Sequence, residues 1–200
     1  MNFAALIRQV SRGHPGRGMT PEEACFLFGR ILDGFIPDLE LGALILALRI
    51  RTESVHELLG FHRALVQRSR QMKWKGPFLP VVLPTYNGAR HHVNLTPLLA
   101  LMLQRLDLPV LLHGVHESYG RVTSVRILEK WGIDPAHTLE EAEKQLESRK
   151  IAYIEPELVY PGIEQLLNYR TRLGVRNSAH SLVKLMNPFD CPSLRMIAAS

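Results

Sequence analysis

Apolar side chains along residues 1–75 recur at helical spacing, and capping residues punctuate them. Thr20-Pro21-Glu22-Glu23 sets a cap, a proline at the first helical position and a carboxylate three residues after the cap. Cys25, Phe26, Phe28, Ile31 and Leu32 follow on the helical period, and Gly34 stops the run. Pro37 and Asp38 open a second helix, Leu39 to Ile50, which is apolar on most faces and so predicts burial by its neighbours. Glu53 to Arg70 reads as an amphipathic helix through Val55, Leu58, Leu59, Phe61, Leu65 and Val66. Gln71 to Pro77 is a polar connection that ends in proline.

The pattern then changes to short apolar runs bounded by turn residues. Leu79–Leu83, Leu108–Leu112 and Ile151–Ile154 predict buried strands, with helices over Pro97–Arg105 and Thr138–Arg149 between them. Strands alternating with helices predict βαβ units and a mostly parallel sheet. The expected fold is therefore α/β, with a small all-helical N-terminal domain over 1–76 and an α/β domain over 77–200. Three strands make a small sheet for the helices available, and Ser193–Ser200 offers no closing element. The second domain is expected to be partial.

Composition narrows the class. An apolar fraction of 46% and a charged fraction of 22% exclude wholesale disorder. No run approaches the ~18 apolar residues a spanning helix needs, and no leader pattern opens the chain. Two cysteines, Cys25 and Cys191, build neither a disulfide framework nor a four-ligand zinc site. A reduced cytoplasmic protein without a membrane partner is expected.

The net charge of +5 is unevenly placed, with 11 Lys and Arg against 7 Asp and Glu in residues 1–76, and 13 against 12 beyond. A basic domain joined to a near-neutral one points to a polyanionic partner. Arg8, Arg12 and Arg17 flank the first helix and its glycine-rich exit. Arg63, Arg68, Arg70, Lys73 and Lys75 cluster around the end of the last N-terminal helix, with Trp74 between the lysines. These eight cations are the candidate nucleic-acid contacts, through phosphates rather than bases. A solvated surface with Trp74 packed into a joint is the alternative.

Two loops carry the remaining candidate chemistry. Pro84-Thr85-Tyr86-Asn87-Gly88-Ala89-Arg90-His91-His92 follows the first strand and leads through Asn94 and Thr96 into a helix. A strand, a Gly/Asn loop and a helix N-terminus form the generic phosphate-binding layout, with an ordinary βα turn as the alternative. His113 to Arg121 follows the second strand, at the end of the sheet where open α/β proteins place ligands. His113 and His116 have no carboxylate at metal spacing, so no metal site is expected. Neither cysteine and neither Ser118 nor Ser124 has a nucleophile context, and Glu140, Glu141 and Glu143 suit the first turn of a helix capped by Thr138.

Met19–Ala24, Leu48–Arg51, Glu57–Phe61, His113-Gly114, Leu128–Gly132, Arg170–Arg176 and Leu185–Pro188 together resemble the anthranilate phosphoribosyltransferase-like family, glycosyltransferase family 3, over almost the whole chain. The resemblance implies a phosphoribosyltransferase fold in a longer protein. The family's glycine-rich phosphate loop falls on Pro84–Ala89, where only Thr85 remains and Tyr86 and Asn87 carry side chains. Its phosphate-binding lysine falls on Leu112, and the asparagine that contacts anthranilate falls on Val115. Thr85, Gly88, Asn94, Thr96, His113, Arg121 and Arg170 are thus the implied remnants of a ligand cleft. The strings Pro84–Arg90, Asn94–Ala100 and His113–Thr123 are similar to the divergent YbiB-type branch. That branch implies a homodimer paired through the helical domain that binds DNA or RNA without sequence preference and needs no cofactor. The alternative is a pentosyltransferase using phosphoribosyl diphosphate, with magnesium only in that case.

Overall fold

The computed structural model describes residues 3–11, 18–86, 88, 93–118 and 120–197. Four helices come first: α1 (Phe3–Ser11), α2 (Pro21–Leu32), α3 (Asp38–Arg51) and α4 (Val55–Val66). Then follow β1 (Val81–Thr85), α5 (Thr96–Arg105), β2 (Val110–Gly114), α6 (Ser124–Lys130), α7 (Leu139–Arg149) and β3 (Ile151–Ile154). The order ends with α8 (Pro156–Val159), α9 (Ile163–Leu173), α10 (Ala179–Leu185) and β4 (Leu194–Arg195). The elements gather into two compact units.

The helical unit holds residues 1–69 and, beyond the expected boundary at 76, residues 160–186. Polar anchors draw the later helices in. Tyr169 Oη and Arg172 Nη1 on α9 donate to Asp38 at 3.1 and 2.9 Å, and the Ser178 hydroxyl before α10 donates to Glu53. Capping boxes start α2 at Thr20/Glu23 and α4 at Ser54/Glu57. The two helices pack closely because Gly60 lacks a side chain: a Cβ there would lie 2.3 Å from the Pro21 carbonyl oxygen. Phe28 and Phe61 stack beside it with ring centroids 4.7 Å apart.

Helix α3 departs from its expected all-round burial. Leu41, Leu44, Ile45 and Leu48 form one buried stripe, whereas Leu39 and Ile50 are 83% and 82% exposed. One helix face suffices for the core of this unit, so the other apolar face remains on the surface. The amphipathic helix expected to reach Arg70 stops at Val66, where Gln67 caps it.

The α/β unit holds residues 70–159 and 187–200. Its four strands are all parallel, in the order β3-β2-β1-β4. Val81 faces Val110 and Leu194 across the ladders, and Val110 faces Ile151. The first two strands begin two residues later than expected, after Pro80 and Pro109. A proline has no N–H for the ladder, and the first β1 bond runs from the Val81 amide to the Pro109 carbonyl at 2.8 Å. β4 supplies an edge strand within the segment expected to lack one. Val81, Leu83, Val110, Leu112, Leu128 and Tyr153 lie in the sheet-and-helix core.

Candidate functional site

The carboxyl ends of β1 and β2 lie side by side, so the loops that follow them meet. Gly114 allows this closeness: a Cβ would stand 2.2 Å from the Thr85 carbonyl oxygen. Tyr86, where the implied phosphate loop has glycine, turns inward and is 4% exposed. Its phenol shares a hydrogen bond of 2.6 Å with His113 Nδ1, and the two rings meet edge to face. Burial lowers the His113 pKa to about 3, so the imidazole is neutral at physiological pH. It is a packed histidine held by a tyrosine.

The polar remnants are engaged with one another. Thr85 Oγ1 and Ser124 Oγ lie 2.5 Å apart, and Asn94 Nδ2 donates to Ser124 Oγ at 3.1 Å and to the Val122 carbonyl at 3.2 Å. Asn94 Oδ1 accepts from the Thr96 amide at the start of α5. Gly88 takes φ 53°, and its backbone sits against Arg121 and Val122. The structure thus brings together Thr85, Gly88, Asn94, Thr96, His113 and Arg121. Arg121 precedes α6 by three residues, and Thr123, whose hydroxyl donates to the His116 carbonyl at 2.8 Å, stands at the boundary of this helix. Arg170 belongs to the helical unit, in the last turn of α9. Asn87, Arg90, His91 and His92 are outside the described residues.

The eight candidate cations divide by what they touch. Arg68 makes a two-pronged pair with Asp33, with Nε and Nη2 each 2.7 Å from a carboxylate oxygen, and its guanidinium covers Gly29. This engagement holds the Asp33 carboxyl below its ordinary pKa. Arg63 pairs with Glu22 at 3.3 Å, and Arg8 Nε donates to the Ala4 carbonyl within α1. Arg12 and Arg17 lie outside the described residues. Arg70, Lys73 and Lys75 are exposed and form no ion pair among the described residues. The Lys73 amide donates to Glu143 at 2.6 Å, which fixes the backbone from which these cations project. Trp74 donates to the Phe78 carbonyl at 2.8 Å and covers Gly76, so its ring is packed on its own turn.

One feature escapes sequence reading. His116 stands 3.8 Å from Glu129 and 3.5 Å from Glu155, at the wall of a cavity of about 550 Å³ that Asp134 and His137 also line. These residues come from separate segments, so no spacing marks them. Among the described residues no group of three or more His, Cys, Asp or Glu is placed to hold a metal ion. Among the same residues no helix is long and apolar enough to cross a membrane.

Comparison with known proteins agrees with this architecture. Residues 4–69 match the helical bundle domain of the glycosyl transferase family. The chain is 38% identical over 203 residues to the uncharacterized protein YbiB of Escherichia coli K12, covering all of this chain and 63% of YbiB. It is 28% identical to the anthranilate phosphoribosyltransferase of Bacillus caldotenax, over 93% of this chain and 76% of that one. The crystal structure of anthranilate phosphoribosyltransferase (TrpD) from Thermus thermophilus superposes with a TM-score of 0.76 at 23% identity, over 94% of this chain and 56% of that chain. The chain therefore spans between about half and three quarters of the length of these relatives.

Proposed function

We propose that this chain, homologous to YbiB and to the anthranilate phosphoribosyltransferases, binds nucleic acid without sequence preference on a phosphoribosyltransferase scaffold. The observation that carries this reading is the run Arg70, Lys73 and Lys75, three exposed cations without a carboxylate partner among the described residues. Cations of this kind neutralise backbone phosphates and displace counterions, which favours polyanions irrespective of base sequence. Arg68 belongs to the fold instead, since its guanidinium is committed to Asp33. The partner is taken to be DNA or RNA, and the assembly a homodimer in the cytoplasm.

A second reading is a pentosyltransferase using phosphoribosyl diphosphate, with magnesium. Homology favours it, together with the presence of Asn94, Thr96, His113 and Arg170. Against it, the buried Tyr86 ring stands where a glycine would admit a diphosphate, and Asn94 spends its amide on Val122 and Ser124. Electrostatic stabilisation of a leaving diphosphate needs donors aimed at the ligand rather than at each other.

The test is a shift assay with unrelated duplex DNA and RNA sequences across a salt series. We expect similar affinity for all sequences and a steep fall with salt. In the triple variant R70A/K73A/K75A the log–log salt slope should flatten by roughly 0.9 for each duplex-DNA phosphate that is no longer neutralised. Unchanged affinity and slope in that variant would remove this surface from the reading. Sequence-independent binding that is absent altogether, with phosphoribosyl transfer present, would replace it by the second.

A further inference from the structure

The segment that carries Arg70, Lys73 and Lys75 lies outside every helix and strand, yet its backbone is tied down within the α/β unit. The Arg70 amide donates to the Val159 carbonyl and the Met72 amide to the Pro188 carbonyl, both at 2.8 Å. The Asp190 amide returns to the Met72 carbonyl at 3.0 Å, and Gln71 Nε2 donates to the Phe189 carbonyl at 3.2 Å. Exposure then alternates along the chain: Met72 is buried, Lys73 exposed, Trp74 half-buried and Lys75 exposed. An alternation of this kind sets the two lysines on the outer side.

Beyond Met72 the hold passes to α7. The Lys73 amide donates to Glu143 Oε1 at 2.6 Å, and at the far end of the same helix Lys150 Nζ lies 5.9 Å from the centre of the Trp74 ring. Among the described residues none of the Arg70, Lys73 and Lys75 side chains forms an ion pair with Glu143, so pairing does not account for the carboxylate there. Its charge and its contact have opposite consequences for a polyanion. The charge repels phosphates, whereas the contact fixes the backbone between two buried or packed neighbours. A lysine that projects from a fixed backbone has less freedom left to lose when it meets a phosphate.

We infer that Glu143 is a positioning residue of the nucleic-acid surface, its carboxylate acting through the Lys73 amide to hold Lys73 and Lys75 ready for backbone phosphates. This role rests on the proposed function and adds to it an acidic residue on a neighbouring helix. The carboxylate is accepted beside a surface that attracts acids because a charged acceptor makes the stronger bond to an amide.

Two variants of the full chain, E143Q and E143A, separate charge from contact in a duplex-DNA binding assay at fixed salt. Glutamine keeps an acceptor oxygen at the same reach and sheds the charge, and alanine sheds both. Charge alone makes the two variants bind alike, each more tightly than the parent. Positioning makes E143A bind about threefold more weakly than E143Q, the scale of holding one long side chain in advance. In a K73A/K75A background that difference should vanish, because the lysines through which Glu143 acts are gone. Equal affinities of E143A and E143Q overturn the role, and so does a difference that persists in the K73A/K75A background, which marks a general effect on the fold. If the parent binds DNA and the two variants are alike, the proposed function stands and this role falls. If the parent does not bind DNA, both fall.

Discussion

Glu57 illustrates how much a single buried carboxylate can organise. Burial pushes its pKa up, but the Arg51 guanidinium at 2.6 Å and the amides of Ser54 and Met19 outweigh that, and the net shift is downward. A carboxyl with a folded pKa below its ordinary 4.5 supports the fold above that value and withdraws support as pH falls through the folded pKa. Glu57→Gln should therefore lower stability by roughly 3 kcal/mol at neutral pH, because it leaves Arg51 without its charge partner. Urea unfolding at pH 7 and pH 4 checks this: the variant and the parent should differ less at the lower pH. His113 works in the same direction. Its folded pKa of about 3 against 6.5 in the open chain means the unfolded state binds the proton first, so stability falls as pH drops below 6.5. Tyr86→Phe should cost about 1 kcal/mol by removing the hydrogen bond to His113, measured in the same way.

At the level of elements, the pattern of apolar and polar positions was legible at the helix starts that Thr20 and Thr138 mark, and less so at β1 and β2, whose starts Pro80 and Pro109 set back by two residues. Thr20 and Thr138 cap α2 and α7 as read, and β3 lies at Ile151–Ile154 as its apolar run predicts, whereas α4 starts after the Ser54 cap and not at Glu53. Less legible were features set by packing between distant segments. Nothing local to Ile163–Leu173 says that Tyr169 and Arg172 will find Asp38, so position in the chain alone places α9 with the α/β part. β4 is two residues long and borrows its strand character from β1, which a sequence pattern does not record. Of the residues that the resemblance implied for a cleft, Thr85, Gly88, Asn94, Thr96, His113 and Arg121 fall in one unit and Arg170 in the other. The inward turn of Tyr86 and the Thr85–Ser124 bond were not legible, because both depend on how separate loops pack. The packing of α2 on α4 gives the sharpest check at this scale. Gly60→Ala must push against the Pro21 carbonyl and Ala24, so thermal unfolding should show a loss of about 1–3 kcal/mol, with the helical content kept below the transition.

Across the whole molecule, the unabsorbed apolar surface and the surplus positive charge point to one arrangement. The outer face of α3 presents Leu39, Leu46 and Ile50 at positions that fall on one side of a helix, all exposed. Proposed pairing of two copies through this face would bury it in a two-fold interface and place two sets of Arg70, Lys73 and Lys75 on one particle. Each protomer would then contribute its own phosphate contacts, and the dimer's affinity for a long duplex would exceed that of one copy because the second engagement is intramolecular. The triple variant L39E/L46E/I50E leaves every buried residue of α3 in place, so it tests the pairing rather than the fold. Light scattering at micromolar concentration should report a dimer for the parent and a monomer for the variant, with unchanged circular dichroism. On a long duplex the variant should bind at least about ten times more weakly, and its salt slope should fall to about half the parent's. A parent that scatters as a monomer rules out the pairing, and a monomeric variant with the parent's affinity and slope separates nucleic-acid binding from assembly.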